Sequence, residues 1–463
     1  MVARERQGAH RSLVGWEAAT AAGKAILILG VSFACSRAAD RPETPPAAGG
    51  TPPVNATANG GATKCDAANG GLTLPPGFCA TVFADALGGT RHPVAAPNGD
   101  VFIALQTQRT KTPSGGIVVL RDVNRDGVAD TTQYFGPFGG GGIALEGTSL
   151  YVDAKTAIVR YTIPVGAMMP SAGPDTIVSG IPSDGNHTSR DLMLDGKGNL
   201  YVNVGSATNS CQEKDRSPGS RGIDPCVELE TRAGIWKFSD SQKGQNFSSA
   251  ERFATGIRNA VGLAWNAHTN LLYATQHGRD QLSGNWPALY TEQKSANNPA
   301  EELLQVNAGD DFGWPYCYYD IDLKHLVLAP EYGGDAKSVG RCSSKKAPIV
   351  AFPGHWAPNA LAFYTGSTFP AKYRDGAFIA FHGSWNRNGE PQAGYRVVFA
   401  PAKDWAFDGT YETFADNFAG SGAADPSKGL YRPTGLISTP DGALVITDDK
   451  TGRVWKVWYT GGK

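Results

Sequence analysis

The chain has 463 residues with 58 Gly and 30 Pro, is 41% hydrophobic and 18% charged, and carries a formal net charge of −1. Balanced charge excludes a protein built to grip nucleic acid, which needs a basic excess, and the apolar content excludes a disordered one. Abundant Gly with 10% aromatic residues favours an all-β chain with many tight turns.

At the N-terminus, Arg4, Arg6, Arg11 and Lys24 precede the apolar run Ala25–Ala34, which ends at Cys35. That run is too short to span a bilayer and fits the apolar region of an export signal. Ser32-Phe33-Ala34-Cys35 approximates a lipoprotein processing site; ordinary cleavage near Ala34 or Ala38, or retention as an anchor, are the alternatives. Residues 1–35 are therefore expected to be a signal peptide of lipoprotein type. Residues 36–64, rich in Pro, Gly, Ala and Thr without apolar periodicity, read as a tether. Residues 65–463 read as one folded domain, exported and periplasmic or tethered to the outer membrane.

Of seven cysteines, six fall in the folded domain as three neighbouring pairs: Cys65 and Cys79, Cys211 and Cys226, Cys317 and Cys342. Three local disulfides are the economical expectation for an oxidising compartment, although six cysteines allow 15 connectivities. No C-x-x-C-H is present, so the chain carries no covalent haem of its own.

A turn containing Gly or Asn followed by a β-branched or aromatic run recurs six times. The runs begin at Asn98, Gly147, Gly198, Thr269, Asp375 and Asp441, and each reads as a turn feeding a strand. The early spacing matches one four-stranded blade. The expected fold is a six-bladed β-propeller with four-stranded antiparallel blades and long loop insertions, its function on the loops of one face.

Between the first two repeats, Asp122, Asn124, Asp126 and Asp130 stand at the first, third, fifth and ninth places of an EF-hand-like loop, with Gly127 at the sixth. The twelfth place holds Gln133 rather than Glu. The segment is a Ca²⁺ candidate, or else a hydrated turn between strands.

Further along lie polar clusters where blade-end loops are expected: Asp184 to Leu192 around His187, Thr255 to Ala264 with Arg258-Asn259, and Gln276 to Leu282 (Q-H-G-R-D-Q-L). They continue with Gly309 to Cys317, Phe381 to Arg387 (F-H-G-S-W-N-R) and Gly429 to Gly435 around Arg432. Histidine is suited to general-base work near neutral pH, and an Arg-Asn pair offers a fixed cation and an amide. Taken singly, each is equally an exposed or structural loop residue.

Taken together, I-R-N-x-x-G-L, H-G-R-D-Q-L, G-W-P-Y-C and H-G-S-W-N-R, in this order over residues 72–460, resemble the soluble quinoprotein sugar dehydrogenases, particularly their sorbosone dehydrogenase-like branch. The resemblance implies a pyrroloquinoline quinone (PQQ) and Ca²⁺ enzyme that oxidises an aldose or related polyhydroxy aldehyde. It implies that His187 removes the substrate hydroxyl proton while hydride passes to the quinone, and that Arg258 polarises the quinone carbonyl. Asn259, His355, Arg387 and Arg432 would contact the cofactor, and the carbonyls of Gly278 and Arg279 would bind the active-site Ca²⁺. Asn186 replaces the Asp of the glucose-oxidising members, Gly139–Gly142 replace a substrate-contacting glutamine, and the Ser384–Arg387 loop lacks their lysine, which speaks against glucose itself. Electrons would leave through an external acceptor such as a cytochrome or quinone, and any membrane contact would be through the N-terminal lipid or signal anchor. The rival functions are a metal-dependent lactonase on a similar scaffold, for which the loops supply mostly His and Arg, and a non-catalytic binding propeller.

Overall fold

Each of the six turn–strand units is the first hairpin turn and the second strand of a blade in the computed structural model, which describes residues 65–461 except 109, 111–112 and 422–424. The expected signal peptide and tether lie outside the described residues.

The domain is a six-bladed propeller of antiparallel sheets. Blade I comprises Thr90–Ala95, Val101–Leu105, Gly116–Arg121 and Thr131–Phe135; blade II comprises Ile143–Glu146, Ser149–Asp153, Ala157–Thr162 and Asp175–Ser179. Blade III comprises Leu192–Leu194, Asn199–Val204, Gly234–Ser239 and Arg252–Thr255; blade IV comprises Leu263–Asn266, Leu271–Gln276, Glu301–Val306 and Val350–Phe352. Blade V comprises Pro358–Ala362, Gly376–Phe381, Arg396–Lys403 and Glu412–Ala415. Blade VI takes Pro433–Ser438, Leu444–Asp448 and Val454–Tyr459 from the C-terminus and its outer strand, Phe78–Ala84, from the N-terminal end of the domain. That last pairing closes the ring. Short extra strands widen blades II and V.

Packing follows from the two-residue strand period. In the second strand of blade I, Val101, Ile103 and Leu105 face blade VI while Phe102 and Ala104 face blade II. All five are buried, because a blade is covered on both faces. The same division yields six apolar clusters, one at each junction between neighbouring blades. The first strands surround a largely apolar channel cavity of about 260 Å³. His92 spans it, with Nδ1 3.0 Å from Gly141 O and Nε2 2.8 Å from Asn359 O.

Strand alternation fixes where function is placed. The loops joining second to third strands, and those passing from an outer strand to the next blade, emerge at the same end. His187, Arg258, Asn259, Gly278, Arg279, His355, Arg387 and Arg432 all sit on such loops. The Asp122–Asp130 segment joins the third and outer strands of blade I and so lies at the opposite end.

The three local disulfides are present: Cys65–Cys79, Cys211–Cys226 and Cys317–Cys342. The last lies in the insertion between the third and outer strands of blade IV, which also holds the hairpin Cys317–Asp320/His325–Leu328. This insertion follows the outer edge of blade III, where Thr255 bridges Asp311, and reaches the functional end, where Trp314 Nε1 donates to Asn209 O at 3.1 Å.

Candidate active site

The loop bearing His187 is seated by small residues. Asn186 N donates to Ala207 O at 2.8 Å, so the loop entering blade III lies on the end of that blade's second strand. A Cβ on Gly205 would meet His187 O at 2.5 Å, and one on Gly185, at φ +92°, would meet Ala207 Cα at 2.6 Å. Glycine at both places permits this approach. His187 Nδ1 lies 2.9 Å from both the carbonyl and the hydroxyl oxygen of Ser206. Burial, reinforced by nearby Arg258, holds the His187 pKa well below the ordinary imidazole value.

Arg258 is buried beneath this loop. Its Nε donates to Asn209 O at 3.0 Å, Nη1 to Gly278 O at 2.8 Å, and Nη2 to Asn209 Oδ1 at 2.9 Å and Asp280 Oδ2 at 3.1 Å. A guanidinium has five N–H donors, so one, on Nη1, is left over. Asn209 is held in turn by Asp280, whose backbone N–H donates to its Oδ1 at 2.8 Å.

Asp280 is the hub of the site. Its Oδ2 also accepts from Arg216 at 2.9 Å, its Oδ1 accepts from Asn386 Nδ2 at 2.7 Å, and His355 Nδ1 lies 3.5 Å away. Burial alone would raise its pKa, but Arg258, His355 and Arg216 outweigh that and hold the carboxyl well below its usual range. Conversely, burial disfavours a charged His355, yet Asp280 and Glu301 raise its pKa. Glu301 receives the backbone N–H groups of Gly278 at 3.0 Å and Ala357 at 3.2 Å, and burial pushes its pKa to about 7. His277, behind Arg258, is driven to about 3 by burial and that cation, so it is neutral.

These groups line one cleft of about 300 Å³: Asn186, His187, Arg216, Arg258, His277, Gly278, Asp280, Glu301, His355, Ala357, Trp385 and Asn386. The sequence-predicted His187, Arg258, Gly278 and His355 meet there. Other predicted residues share the same end without lining the cleft. Arg387 donates to the carbonyls of Ala296, Gly354 and Pro391 and to Asn297 Oδ1, so its guanidinium ties three loops together. Arg432 donates to the carbonyls of His382 and Gly383 at 3.0 and 2.8 Å. The Arg279 side chain turns into the blade IV insertion and pairs with buried Glu331. Asn259 is buried, its Oδ1 without a hydrogen-bond partner among the described residues.

In the Asp122–Asp130 loop, Asp122 accepts from the backbone N–H of Asp126 at 3.2 Å and Gly127 at 2.9 Å, and Asp126 from that of Val128 at 2.9 Å. Asp130 accepts from Val123 N at 2.6 Å, and Asn124 Nδ2 donates to both Asp126 and Asp130. Among the described residues, no group of three or more His, Cys, Asp or Glu side chains is arranged to hold a metal ion.

Sequence reasoning missed Asp280, although it stands inside H-G-R-D-Q-L, and also Asn209, Arg216, Glu301 and Asn386. The buried carboxylate pair at Glu301-Glu302, unusual in a strand, was a readable signal.

The TrAA12-like family profile matches residues 72–460. An uncharacterised protein of Borreliella burgdorferi is 28% identical over 283 residues, covering 59% of this chain and 61% of that protein. A PQQ-dependent pyranose dehydrogenase of Coprinopsis cinerea is 24% identical over 331 residues, covering 61% of this chain and 43% of that enzyme. The alignments thus span about half the length of these curated relatives. Among solved structures, a Trichoderma reesei carbohydrate-active enzyme of family AA12 superposes with a TM-score of 0.67 at 18% identity, covering 84% of this chain and 98% of the other. That likeness is one of fold.

Proposed function

We propose that this chain, which belongs to the TrAA12-like family, is a PQQ-dependent dehydrogenase that oxidises a pyranose or related polyhydroxy aldehyde. The observation that carries this reading is the convergence of His187, Arg258 and His355 with Arg216 and Asn386 on one cleft. A PQQ-dependent pyranose dehydrogenase among the relatives supports it.

The donor set fits the cofactor. PQQ carries three carboxylates and an ortho-quinone; the cleft offers the unspent Arg258 N–H, Arg216, the Asn386 amide and His355, whose pKa is raised. For Ca²⁺, a hard cation, the cleft offers the backbone carbonyl of Gly278, which has one lone pair beyond its bond to Arg258; the neighbouring Arg279, expected to supply a second carbonyl, does not line the cleft. When bound, PQQ supplies the two-electron acceptor for the substrate's C–H bond. His187 removes the hydroxyl proton with the ring nitrogen that faces the cleft, being neutral and available at physiological pH. Arg258 is fixed by Asn209, Gly278 and Asp280 before any ligand enters, so its remaining N–H needs no reorganisation to polarise a carbonyl.

The lactonase alternative calls for free carboxylates on a channel metal. Asp280 and Glu301 do line the cleft, but two arginines and Asn386 occupy the first and backbone N–H groups the second. The three disulfides suit an oxidising compartment, in keeping with export through residues 1–35 and a tether over 36–64. No helix among the described residues is long and apolar enough to cross a membrane.

Protein loaded with PQQ and Ca²⁺ should reduce an artificial dye when given pyranoses. His187→Ala should lose about 10²–10⁴-fold in kcat while still binding PQQ. Unchanged turnover in that variant contradicts the assignment.

A further inference from the structure

Ser206 is fully buried at the end of the second strand of blade III. Its backbone N–H donates to Arg258 O at 2.8 Å, its hydroxyl donates to Thr208 O at 2.6 Å, and Glu228 fixes the next turn by accepting from Ala207 N at 2.6 Å and Thr208 N at 3.3 Å. Because the hydroxyl hydrogen is committed to Thr208, the Ser206 oxygen offers only lone pairs to His187. The Ser206 carbonyl likewise can only accept. Both oxygens lie 2.9 Å from His187 Nδ1, so Nδ1 must carry the hydrogen, and Nε2 holds the lone pair.

We infer that Ser206 is the positioning residue of the catalytic base: it fixes His187 as the Nδ1–H tautomer with Nε2 toward the cleft, and it does so without a negative charge behind the ring. This deepens the dehydrogenase reading and rests on it for the word catalytic. A carboxylate partner would both orient an imidazole and stabilise its charged form with a full opposite charge; the neutral Ser206 oxygens orient it and favour the charged form only through a hydrogen bond, which burial and Arg258 outweigh. The charged and titratable groups around the ring reinforce the effect. Burial and Arg258 oppose protonation, and Asp280 favours it, but Asp280 is itself shared by Arg258 and Arg216, while His277 is neutral and His355 and Glu301 complete the cleft. His187 thus stays an unprotonated base at acidities that would silence a carboxylate-backed histidine.

The test is ¹⁵N NMR of histidine-labelled, cofactor-free protein, with His187 assigned by the signal lost in His187→Asn. The expected spectrum shows the neutral Nδ1–H form from about pH 5.5 to pH 8. Ser206→Asp should raise the titration midpoint by at least about one pH unit and move the acid limb of kcat/KM in loaded enzyme by the same amount. Ser206→Ala, which keeps the carbonyl, should preserve the tautomer and not raise the midpoint. An Nε2–H tautomer in the native protein, or an unmoved midpoint in a folded Ser206→Asp variant, overturns the inference. The expected tautomer in a protein that binds no PQQ supports Ser206 as the orienting group and removes the sugar-oxidation reading instead.

Discussion

Asp280→Asn removes the carboxylate shared by Arg258, Arg216 and Asn386. Arg258 has 4% side-chain exposure and Asp280 14%, so the substitution leaves a buried guanidinium without its counter-charge and points an amide N–H at two arginines or at Asn386. Breaking a buried pair in this way costs about 3–5 kcal/mol. Because Asp280 touches solvent and the new side chain keeps one acceptor, a loss near the lower end, about 3 kcal/mol, is expected at pH 7. Its pH dependence follows from the direction of the shift. The folded-state pKa of Asp280 is depressed, so its contribution is complete above the unfolded value of about 3.9 and is lost as pH falls toward the folded value, at about 1.4 kcal/mol per pH unit. His355 is shifted upward by the same carboxylate, so its share is present below its unfolded pKa and fades as pH rises through the folded one. The assay is urea unfolding of both proteins between pH 3 and pH 8. A difference below about 0.5 kcal/mol at pH 7, within the range of ordinary surface substitutions, or one that does not shrink below pH 4, would refute the hub described here.

Other substitutions act on the His187 loop, the Cys211–Cys226 disulfide and the cleft-lining Trp385. Gly205→Ala places a methyl group 2.5 Å from His187 O, so the loop must move; kcat/KM should fall about 10²-fold, as for a misplaced catalytic group, and an unchanged value would show the approach is not needed. Serine at both Cys211 and Cys226 opens the disulfide across 15 positions that staples the Arg216 loop, and calorimetry should show a loss of about 3 kcal/mol. Trp385, 60% exposed, lines the cleft, and a sugar substrate of the proposed enzyme would find in it an exposed aromatic face. Trp385→Ala should raise KM for pyranoses about tenfold, near 1.4 kcal/mol of binding, with kcat unchanged.

The parts of this fold legible in the sequence are those encoded locally. A hairpin turn and the strand it feeds occupy adjacent residues, so all six second strands could be read from their Gly, Asn and Asp turns, and three disulfides joined nearest neighbours. Closure of blade VI by Phe78–Ala84 was not legible, because it pairs residues almost a whole domain apart. The site divides in the same way. His187 and Arg258 stand out as residue types beside glycines, but Arg387 illustrates the limit: four protein acceptors, from three separate loops, take four of its five donors, and its side chain does not line the cleft. Asp280 is the converse case. An aspartate in a loop is unremarkable until the fold delivers Arg216 and Asn386 from two other blades to the same carboxylate.

PQQ is proposed to bind in the cleft at this end of the propeller, where Arg258 supplies a preformed N–H. Titration of PQQ into Ca²⁺-saturated protein, followed calorimetrically for the native chain and for Arg258→Met, tests it most directly. One site with a Kd of about 1 µM or tighter is expected, weakened at least about tenfold in a folded Arg258→Met variant. Absence of binding at about 100 µM PQQ, or equal affinity in the two proteins, would contradict it.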